Sequence, residues 1–394
     1  MIFTQRLTRR SRTVALIAAA HVMFCHATPL LALPKGETVA NGEVAFTREG
    51  DTMTVLQTSQ NAIVNYDSFS IGSPESVQFI QPDSSAAILN RVTGSESSVL
   101  AGVLMANGNV YLINPNGILF TPSARISVAS LFASALDITD EDFAAGRMLF
   151  TGQGSGSVVN QGEITAEDRA CLFGSVVDNS GTIRAGTVMM AAAAGSIEID
   201  NAAGGAIRLL VDGRCLDKAP APESDAGEDT PPVGTTPETP PTDQPDSTGQ
   251  TATPDQAVQP PTSDAGMVIN QGTVSVSGNV GGSVAMSGTR VGQFGVVNAD
   301  GTAGTGGTVT ITASDTVALG DDSVTTANAG TDGNGGTVIV YSPGSALFRR
   351  GAVIEARAAK APATADLSKS PVAHTWKSSE LSTHHQKTAS PEHS

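Results

Sequence analysis

The feature that most constrains the fold of this chain is a short unit of strand and turn that recurs along it. The recurring segments are SVVNQGEITA from Ser157, SVVDNSGTIRA from Ser175, MVINQGTVSVS from Met267, GGSVAMSG from Gly281, GGTVTITA from Gly306 and GGTVIVYS from Gly335. Their spacing of about 18–30 residues lies in the range of solenoid repeats. One unit is too small to fold alone, so the repeats predict stacked coils, a β-helix, with Val, Ile and Ala inside.

The composition supports short strands joined by turns. The chain holds 42 Gly and only 4% aromatic residues, which favours strands and turns over helices. Asn suits the coil corners because it tolerates left-handed backbone angles, and stacked coils would let Asn side chains form hydrogen-bonded ladders. At about 25 residues per coil, we expect about eleven coils in a rod about 50 Å long.

The N-terminus has the pattern of a secretory signal peptide. Four arginines precede the apolar run TVALIAAAHVMF, and small residues follow, so we expect residues 1–32 to be removed near Ala32. The rest of the sequence has no apolar run long enough to span a membrane as a helix. The sequence therefore predicts an exported protein that is not integral to a membrane.

A compositional break divides the remaining chain. Residues 218–265 contain eleven of the 21 prolines, many acidic residues and almost no large apolar ones, which predicts a disordered segment. Because similar repeats lie on both sides, we expect this segment to loop out of one solenoid formed by residues 33–217 and 266–359. A linker between two independent domains is the alternative. Residues 360–394 are polar and unpatterned, and we expect a disordered tail.

Charge and histidine placement argue against several functions. The formal net charge is −16, so nucleic acid is not an expected partner. All six His lie before residue 33 or after residue 359, which leaves the rod without a His-based catalytic or metal site. We therefore expect no catalytic residue, no cofactor and no metal.

Two other segments have simple structural interpretations. The acidic cluster in LDITDEDF, from Leu136 to Phe143, is interpreted as the polar start of a short helix or a loop. The segment GTDGNGGTVIV, from Gly330 to Val340, only faintly resembles a calcium-binding repeat and is interpreted as a glycine-rich corner. Cys171 and Cys215 are compatible with one disulfide or with two separate buried thiols.

The segment ANGNVYLINPNGILF, from Ala106 to Phe120, concentrates turn signals around one strand. NVYLI alternates, so Val110 and Leu112 are expected on one face of the strand, with Tyr111 and Ile113 on the other. NPNG has Pro at the second turn position, followed by residues that accept unusual backbone angles, which predicts a turn at a coil corner.

The run from Ala87 to Ser134 resembles the N-terminal secretion domain of filamentous haemagglutinin-like exoproteins of two-partner secretion. The residues that carry the resemblance are Asn90, Arg91, Val92 and Gly94, Asn107 and Gly108, and Asn114, Pro115, Asn116, Gly117 and Ile118. Many members carry an Asn-Pro-Asn-Leu motif before this region, where this chain has QPDSS from Gln81 to Ser85. A role that needs the missing Asn is therefore not expected.

The resemblance implies an all-β, right-handed parallel β-helix with an N-terminal cap. It implies recognition by an outer-membrane β-barrel transporter with periplasmic substrate-binding domains, followed by secretion or display on the surface of a Gram-negative cell. It also implies a non-catalytic, adhesin-like role, with a host-cell or surface receptor as partner. A β-helical enzyme acting on polysaccharide and a truncated exoprotein without activity are the alternatives.

Overall fold

A computed structural model describes residues 33–152, 155–201, 207–215 and 266–359. The predicted signal peptide, the segment 218–265 and the tail 360–394 lie outside the described residues. The expected boundaries of these segments therefore stay predictions. Within the described residues the regular structure is almost entirely strand, with one short helix, as the sequence predicted.

Parallel strands stack into a solenoid with three faces, which we call the first, second and third face in the order in which each coil visits them. The strands of the first face are β3 (Thr52–Gln57), β5 (Ser76–Ile80), β8 (Val103–Ala106), the first part of β11 (Arg125–Ser134) and of β15 (Glu163–Gly174), β17 (Thr182–Arg184), β23 (Thr273–Ser275), β25 (Val296–Asn298), β27 (Val324–Thr326) and β30 (Val353–Glu355).

The other two faces repeat this arrangement. The second face consists of β4 (Asn61–Tyr66), β6 (Ala87–Val92), β9 (Asn109–Ile113), the later parts of β11 and β15, β18 (Thr187–Ala192), the first parts of β24 (Ser283–Gln293) and β26 (Thr308–Leu319), and β28 (Thr337–Tyr341). The third face consists of β7 (Ser98–Leu100), β10 (Ile118–Phe120), β14 (Ser157–Asn160), β16 (Val176–Asn179), β22 (Met267–Asn270), the ends of β24 and β26, and β29 (Ser345–Phe348).

Additional strands lie at the start of the solenoid and against its side. At the N-terminal end β1 (Thr38–Asn41) and β2 (Val44–Glu49) pair antiparallel with β4 and β3 and form the expected cap. An antiparallel sheet, which we call the side sheet, consists of β12 (Asp137–Ile138), β13 (Met148–Thr151), β19 (Ser196–Asn201), β20 (Ile207–Val211) and β21 (Arg214–Cys215). Helix α1 (Asp140–Ala144) lies between β12 and β13.

Part of the patterned sequence leaves the solenoid. Within the described residues the first face has ten parallel rungs, close to the expected number of about eleven coils, and the segments that form the side sheet and α1 contribute none of them. Their strands alternate like coil strands, but they pair antiparallel with one another: Met148 lies opposite Ile199, and Ile199 lies opposite Leu209.

Strands on the two sides of the segment 218–265 pair directly. β16 pairs with β22, β17 with β23 and β18 with β24, all parallel and in register. In these pairs Asn179 lies opposite Asn270, and Val188 opposite Val284. The described coils before and after the proline-rich segment therefore form one solenoid rather than two separate units.

The solenoid interior is an apolar core built by alternating residues. On β9, Val110 and Leu112 point into this core and are fully buried. Tyr111 and Ile113 point outward, as the alternation predicted, but they are buried as well because the side sheet covers them. Burying both faces of a strand removes more apolar surface from water than a solenoid with one wet face would.

Aromatic rings concentrate in the second core, between the second face and the side sheet. The rings of Tyr111 and Phe132, on adjacent rungs, are stacked with centroids 4.2 Å apart and planes 7° from parallel. Phe143 of α1 meets Tyr111 edge-on at 5.2 Å, and Phe150 of the side sheet meets Phe173 at 5.1 Å. Such pairs add specific geometry to the apolar burial, so they fix where the side sheet sits.

A ladder of buried amides runs through the third face. The Nδ2 atoms of Asn160, Asn179 and Asn270 each donate to the amide oxygen on the next rung, at 2.8, 2.7 and 2.7 Å, and the last acceptor is Gln293. All four side chains are fully buried. The expected asparagine ladder is confirmed, and it links the coils on the two sides of the proline-rich segment.

Glycines stack where neighbouring coils come closest. A Cβ atom on Gly307 would lie 2.0 Å from the carbonyl oxygen of Gly282, and one on Gly336 would lie 1.9 Å from that of Gly307. These are the second glycines of the recurring GG pairs. The glycine-rich corner expected at Gly330 to Val340 is confirmed, since it leads into β28 through this stack.

Candidate functional site

The turn from Asn114 to Gly117 is closed by its own amide. The Oδ1 atom of Asn114 accepts from the backbone N of Asn116 at 2.9 Å, and the N of Gly117 donates to the Asn114 carbonyl at 2.9 Å. Asn114 is fully buried, whereas Pro115 and Asn116 are exposed. The predicted corner turn is confirmed, and its buried amide faces the coil while its tip faces solvent. Ile118, which is also buried, then starts β10.

The same turn is bonded to the coil below it. The Nδ2 atom of Asn114 donates to the Glu96 carbonyl at 2.9 Å and to the Ser98 hydroxyl at 3.0 Å. The Nδ2 atom of Asn116 donates to the Gly94 carbonyl at 2.9 Å. The upstream block that starts at Asn90 and the NPNG turn therefore meet at one corner between the second and third faces, which we call the motif corner.

Two glycines of the motif corner are required by their surroundings. A Cβ atom on Gly94 would lie 2.1 Å from the carbonyl oxygen of Asp67, so any side chain there would push the two coils apart. Gly117 has φ of +102°, a backbone conformation that other residues rarely adopt. A Cβ atom there would also come within 2.8 Å of the Ser157 carbonyl.

Arg91 attaches the side sheet to the solenoid. Its guanidinium donates to the carboxylate of Asp137 at 2.9 Å and to the carbonyl of Ile138 at 2.7 Å, and it pairs with Asp140 at 2.9 Å. The Arg91 side chain is only 16% exposed. A planar guanidinium can serve several acceptors at once, so this one residue anchors both β12 and the start of α1.

Asn90, the neighbour of Arg91, points into the solenoid. It is fully buried, and its Nδ2 atom donates to the Tyr111 carbonyl at 3.1 Å. Its Oδ1 atom is buried without a hydrogen-bond partner among the described residues. A buried oxygen without a hydrogen bond is unfavourable, so Asn at this position lowers the stability of the fold.

The acidic cluster forms the start of α1, as expected. Thr139 caps the helix: its hydroxyl accepts from the N of Asp142 at 3.0 Å and donates to the Asp142 carboxylate at 2.7 Å. That hydroxyl, followed by the Arg147 guanidinium, lowers the pKa of Asp142. Asp140, Glu141 and Asp142 occupy the first turn, where the helix dipole favours negative charge.

Asn107 and Gly108 lie at a different corner, between the first and second faces. The amide of Asn107 accepts from the N of Gln81 and donates to the carbonyl of Gln81, both at 2.8 Å. A Cβ atom on Gly108 would lie 2.6 Å from the Oε1 atom of Gln81. Gln81 is nearly buried and donates to Gln57 at 3.1 Å. Gln81, the first residue of QPDSS, thus provides a buried amide at this corner. Asn107 and Gly108 lie here and not at the motif corner.

Buried ionisable groups of the second core are held in their neutral forms. Burial raises the pKa of the Cys171 thiol and of the Tyr111 phenol. Cys171 is a free, fully buried thiol, so it is not a nucleophile exposed to solvent. The side chain of Cys215 lies outside the described part of the structure.

Two further observations concern metals and membranes. Among the residues that the structure describes, no three His, Cys, Asp or Glu side chains are grouped closely enough to hold a metal ion. In the described part of the chain, α1 has only five residues, and no helix is long and apolar enough to cross a membrane.

Sequence reasoning missed three contributors. Ser98 and Asp67 complete the motif corner from neighbouring coils, and no local pattern marks them. Gln293 ends the amide ladder, and a signal for it exists: an amide, any residue, then Gly recurs at Asn160, Asn179, Asn270 and Gln293. The spacing to the glycine therefore identifies the ladder positions better than the letter Asn does.

The comparisons with known proteins agree with this architecture. The family described as the TPS secretion domain matches residues 31–224. A heme/hemopexin-binding protein of Haemophilus influenzae is 41% identical over 162 residues, which are 39% of this chain and 18% of that protein. Another heme/hemopexin-binding protein of Haemophilus influenzae is 46% identical over 88 residues, 22% of this chain and 10% of that protein. The chain thus spans less than a fifth of the length of these relatives.

A solved structure supports the fold. The crystal structure of the HMW1 secretion domain from Haemophilus influenzae superimposes with a TM-score of 0.56 at 21% identity, covering 82% of this chain and 84% of that chain. At this identity the similarity shows a shared β-helical fold. The family match by itself shows that residues 31–224 belong to the TPS secretion domain family.

Proposed function

We propose that this chain is the secreted, non-catalytic partner of a two-partner secretion system. Its N-terminal β-helix, residues 33–217, directs export from the periplasm through a cognate outer-membrane β-barrel transporter with periplasmic substrate-binding domains. Once outside, the chain stays at the cell surface or is released, and it acts as an adhesin-like protein that binds a host-cell or surface receptor.

The observation that carries the proposal is the motif corner inside a matched secretion domain. Residues 31–224 match the family, and Asn116 of the NPNG turn donates to the carbonyl of Gly94 in the upstream block that starts at Asn90. A corner fixed by buried amides gives the nascent coil a defined template. Each later coil can then add its backbone hydrogen bonds to the coil before it, so folding outside the cell needs no ATP.

The name of the relatives does not extend the proposal. They are heme/hemopexin-binding proteins, but the longer of the two alignments covers only 18% of the relative's length. We therefore do not include heme or hemopexin binding in the proposed function.

Export in a reconstituted pair tests the proposal. The full chain is produced in a Gram-negative host together with its cognate barrel transporter, and the chain is measured in the medium and by protease accessibility on intact cells. We expect export with the transporter and none without it. Asn114→Val should reduce export at least severalfold, because it removes two donated hydrogen bonds and two accepted ones from a buried corner.

Asn61→Val is the matched control, since it makes the same chemical change at an exposed residue of the same solenoid. It should be exported like the original chain. Export that does not depend on the transporter, or equal export of Asn114→Val and the control, would contradict the proposal.

A further inference from the structure

A polar groove runs along the corner between the third and first faces. It has a volume of about 460 Å³ and lies over the coils before and after the proline-rich segment. Its floor contains Gly162, Gly181 and Gly272, which stack so closely that a Cβ atom on Gly181 or Gly272 would lie 2.2 or 2.0 Å from the carbonyl below. The coil spacing therefore requires glycine at these positions, and the glycines contribute only backbone atoms to the groove lining.

Charged residues form one wall of the groove. Arg125 and Arg184 both pair with Glu163, which lies between them: the Nε atom of Arg125 is 3.5 Å from one carboxylate oxygen, and Arg184 donates to the other. The three side chains are between 41% and 55% exposed. Two guanidiniums share one carboxylate, so this wall carries a local positive charge in a chain whose net charge is −16.

The remaining lining repeats with the coils. Hydroxyl and amide side chains flank each glycine of the floor, namely Gln161, Ser180, Thr182 and Thr273. They recur from rung to rung, and parallel rungs are about 4.8 Å apart. Pro122 is the one apolar side chain among the lining residues.

This chemistry discriminates among ligand classes. Sites for apolar cofactors are lined mainly by apolar side chains, which this groove lacks. A peptide that adds a strand needs a free sheet edge, whereas the backbone groups here already pair with the coils above and below. A nucleic acid would require more cations than two arginines that share a glutamate. A hydroxyl-rich ligand that bears carboxylates matches both the polar floor and the guanidiniums.

We propose that the groove over Gly162, Gly181 and Gly272 binds an acidic oligosaccharide, whose carboxylate contacts Arg125 and Arg184. The sugar chain lies along the solenoid axis, and its hydroxyl groups exchange hydrogen bonds with the side chains that recur on successive rungs. Glu163 acts against binding, because it occupies guanidinium donors that the ligand carboxylate needs. The proposal does not depend on the export role above, since it concerns a surface of the folded, purified chain.

Calorimetric titration of the purified full chain tests the proposal. The probe is a hexamer of galacturonic acid at low salt, and the same hexamer as its methyl ester is the uncharged comparison. We expect binding of the acid, and weak or no binding of the ester. Arg184→Gln should weaken binding about tenfold, the value of one charge-assisted hydrogen bond. Glu163→Gln should strengthen binding, because it removes the competing carboxylate.

Arg349→Gln is the matched control: Arg349 is 53% exposed, lies 3.9 Å from Asp321, and is not part of the groove. This variant changes the net charge equally and should bind like the original chain, and melting curves should show all variants equally folded. A lack of binding by the acid hexamer, equal binding of the ester, an equal loss in Arg349→Gln, or weaker binding in Glu163→Gln would overturn the proposal. Equal affinity for a sulfated hexasaccharide without carboxylates, such as a carrageenan hexamer, would overturn the preference for carboxylate.

Discussion

The amide ladder gives the most demanding prediction about stability. Asn179 is fully buried, its Oδ1 atom accepts from Asn160 at 2.8 Å, and its Nδ2 atom donates to Asn270 at 2.7 Å. Asn179→Ala removes both hydrogen bonds and leaves one donor and one acceptor buried without partners. Each such group costs about 1–3 kcal/mol, so the variant should lose about 2–6 kcal/mol of unfolding free energy.

The loss should be concentrated in the coils that Asn179 joins, one of which lies beyond the proline-rich segment. A solenoid is stabilised by contacts between neighbouring coils, so the weakened interfaces are those of β16 with β14 and with β22. Urea unfolding followed by far-ultraviolet circular dichroism measures the total loss. Hydrogen exchange with mass spectrometry locates it, and peptides that cover residues 157–160 and 267–275 should lose protection first.

The neighbouring Ser180→Ala is the control, because that side chain is exposed and makes only a long contact of 3.5 Å to the Asn160 carbonyl. It should change the unfolding free energy by less than about 0.5 kcal/mol. A change of that small size in Asn179→Ala, or loss of protection spread evenly over all coils, would refute the reasoning that the ladder joins the two parts of the solenoid.

Three further predictions concern other contacts. Gly307→Ala should destabilise the coils around β26 by more than about 2 kcal/mol, because its Cβ atom would meet a backbone carbonyl at 2.0 Å. Tryptic cleavage after residue 290 should become faster. Resistance to trypsin equal to that of the original chain would contradict this prediction. Arg91→Gln should release α1 and β12, seen as faster exchange in residues 137–144 with the inner coils unchanged. The Arg48 hydrogen bond lowers the pKa of Glu37 from 4.5, so the ion pair stabilises the cap above that pH and is lost as the pH falls through the lowered value. Hydrogen exchange of β1 and β2 should therefore become faster as the pH falls, and Glu37→Gln should remove this pH dependence. An unchanged pH profile in Glu37→Gln would refute the role of the ion pair.

Much of the fold could be predicted because its signals are local. A coil corner needs an amide and a glycine two residues apart, and that pattern is visible in the sequence at Asn160, Asn179 and Asn270. The alternation that placed Val110 inward is also a property of one strand. Such features predict a stacked parallel fold without any knowledge of which segments touch.

The side sheet could not be predicted because its partners are distant in sequence. β13 and β19 alternate like coil strands, and only their antiparallel register separates them from the solenoid. What decides the outcome is the apolar outer surface of the second face, with Tyr111, Phe132 and Phe173, which is buried only if something covers it. A sequence read strand by strand does not show whether an outward-facing aromatic residue is left exposed or becomes covered.

The difference between buried and exposed residues separates two roles within the motif corner, coil formation and recognition. The Asn114 side chain is fully buried in the folded coil, so a transporter that recognises its amide must do so before this coil has formed. Pro115 and Asn116 stay exposed at the tip of the turn and remain accessible afterwards. A defect from changing Asn114 therefore reports on coil formation or on the unfolded chain. A defect confined to the exposed tip, with stability unchanged, would instead report on recognition of the folded corner.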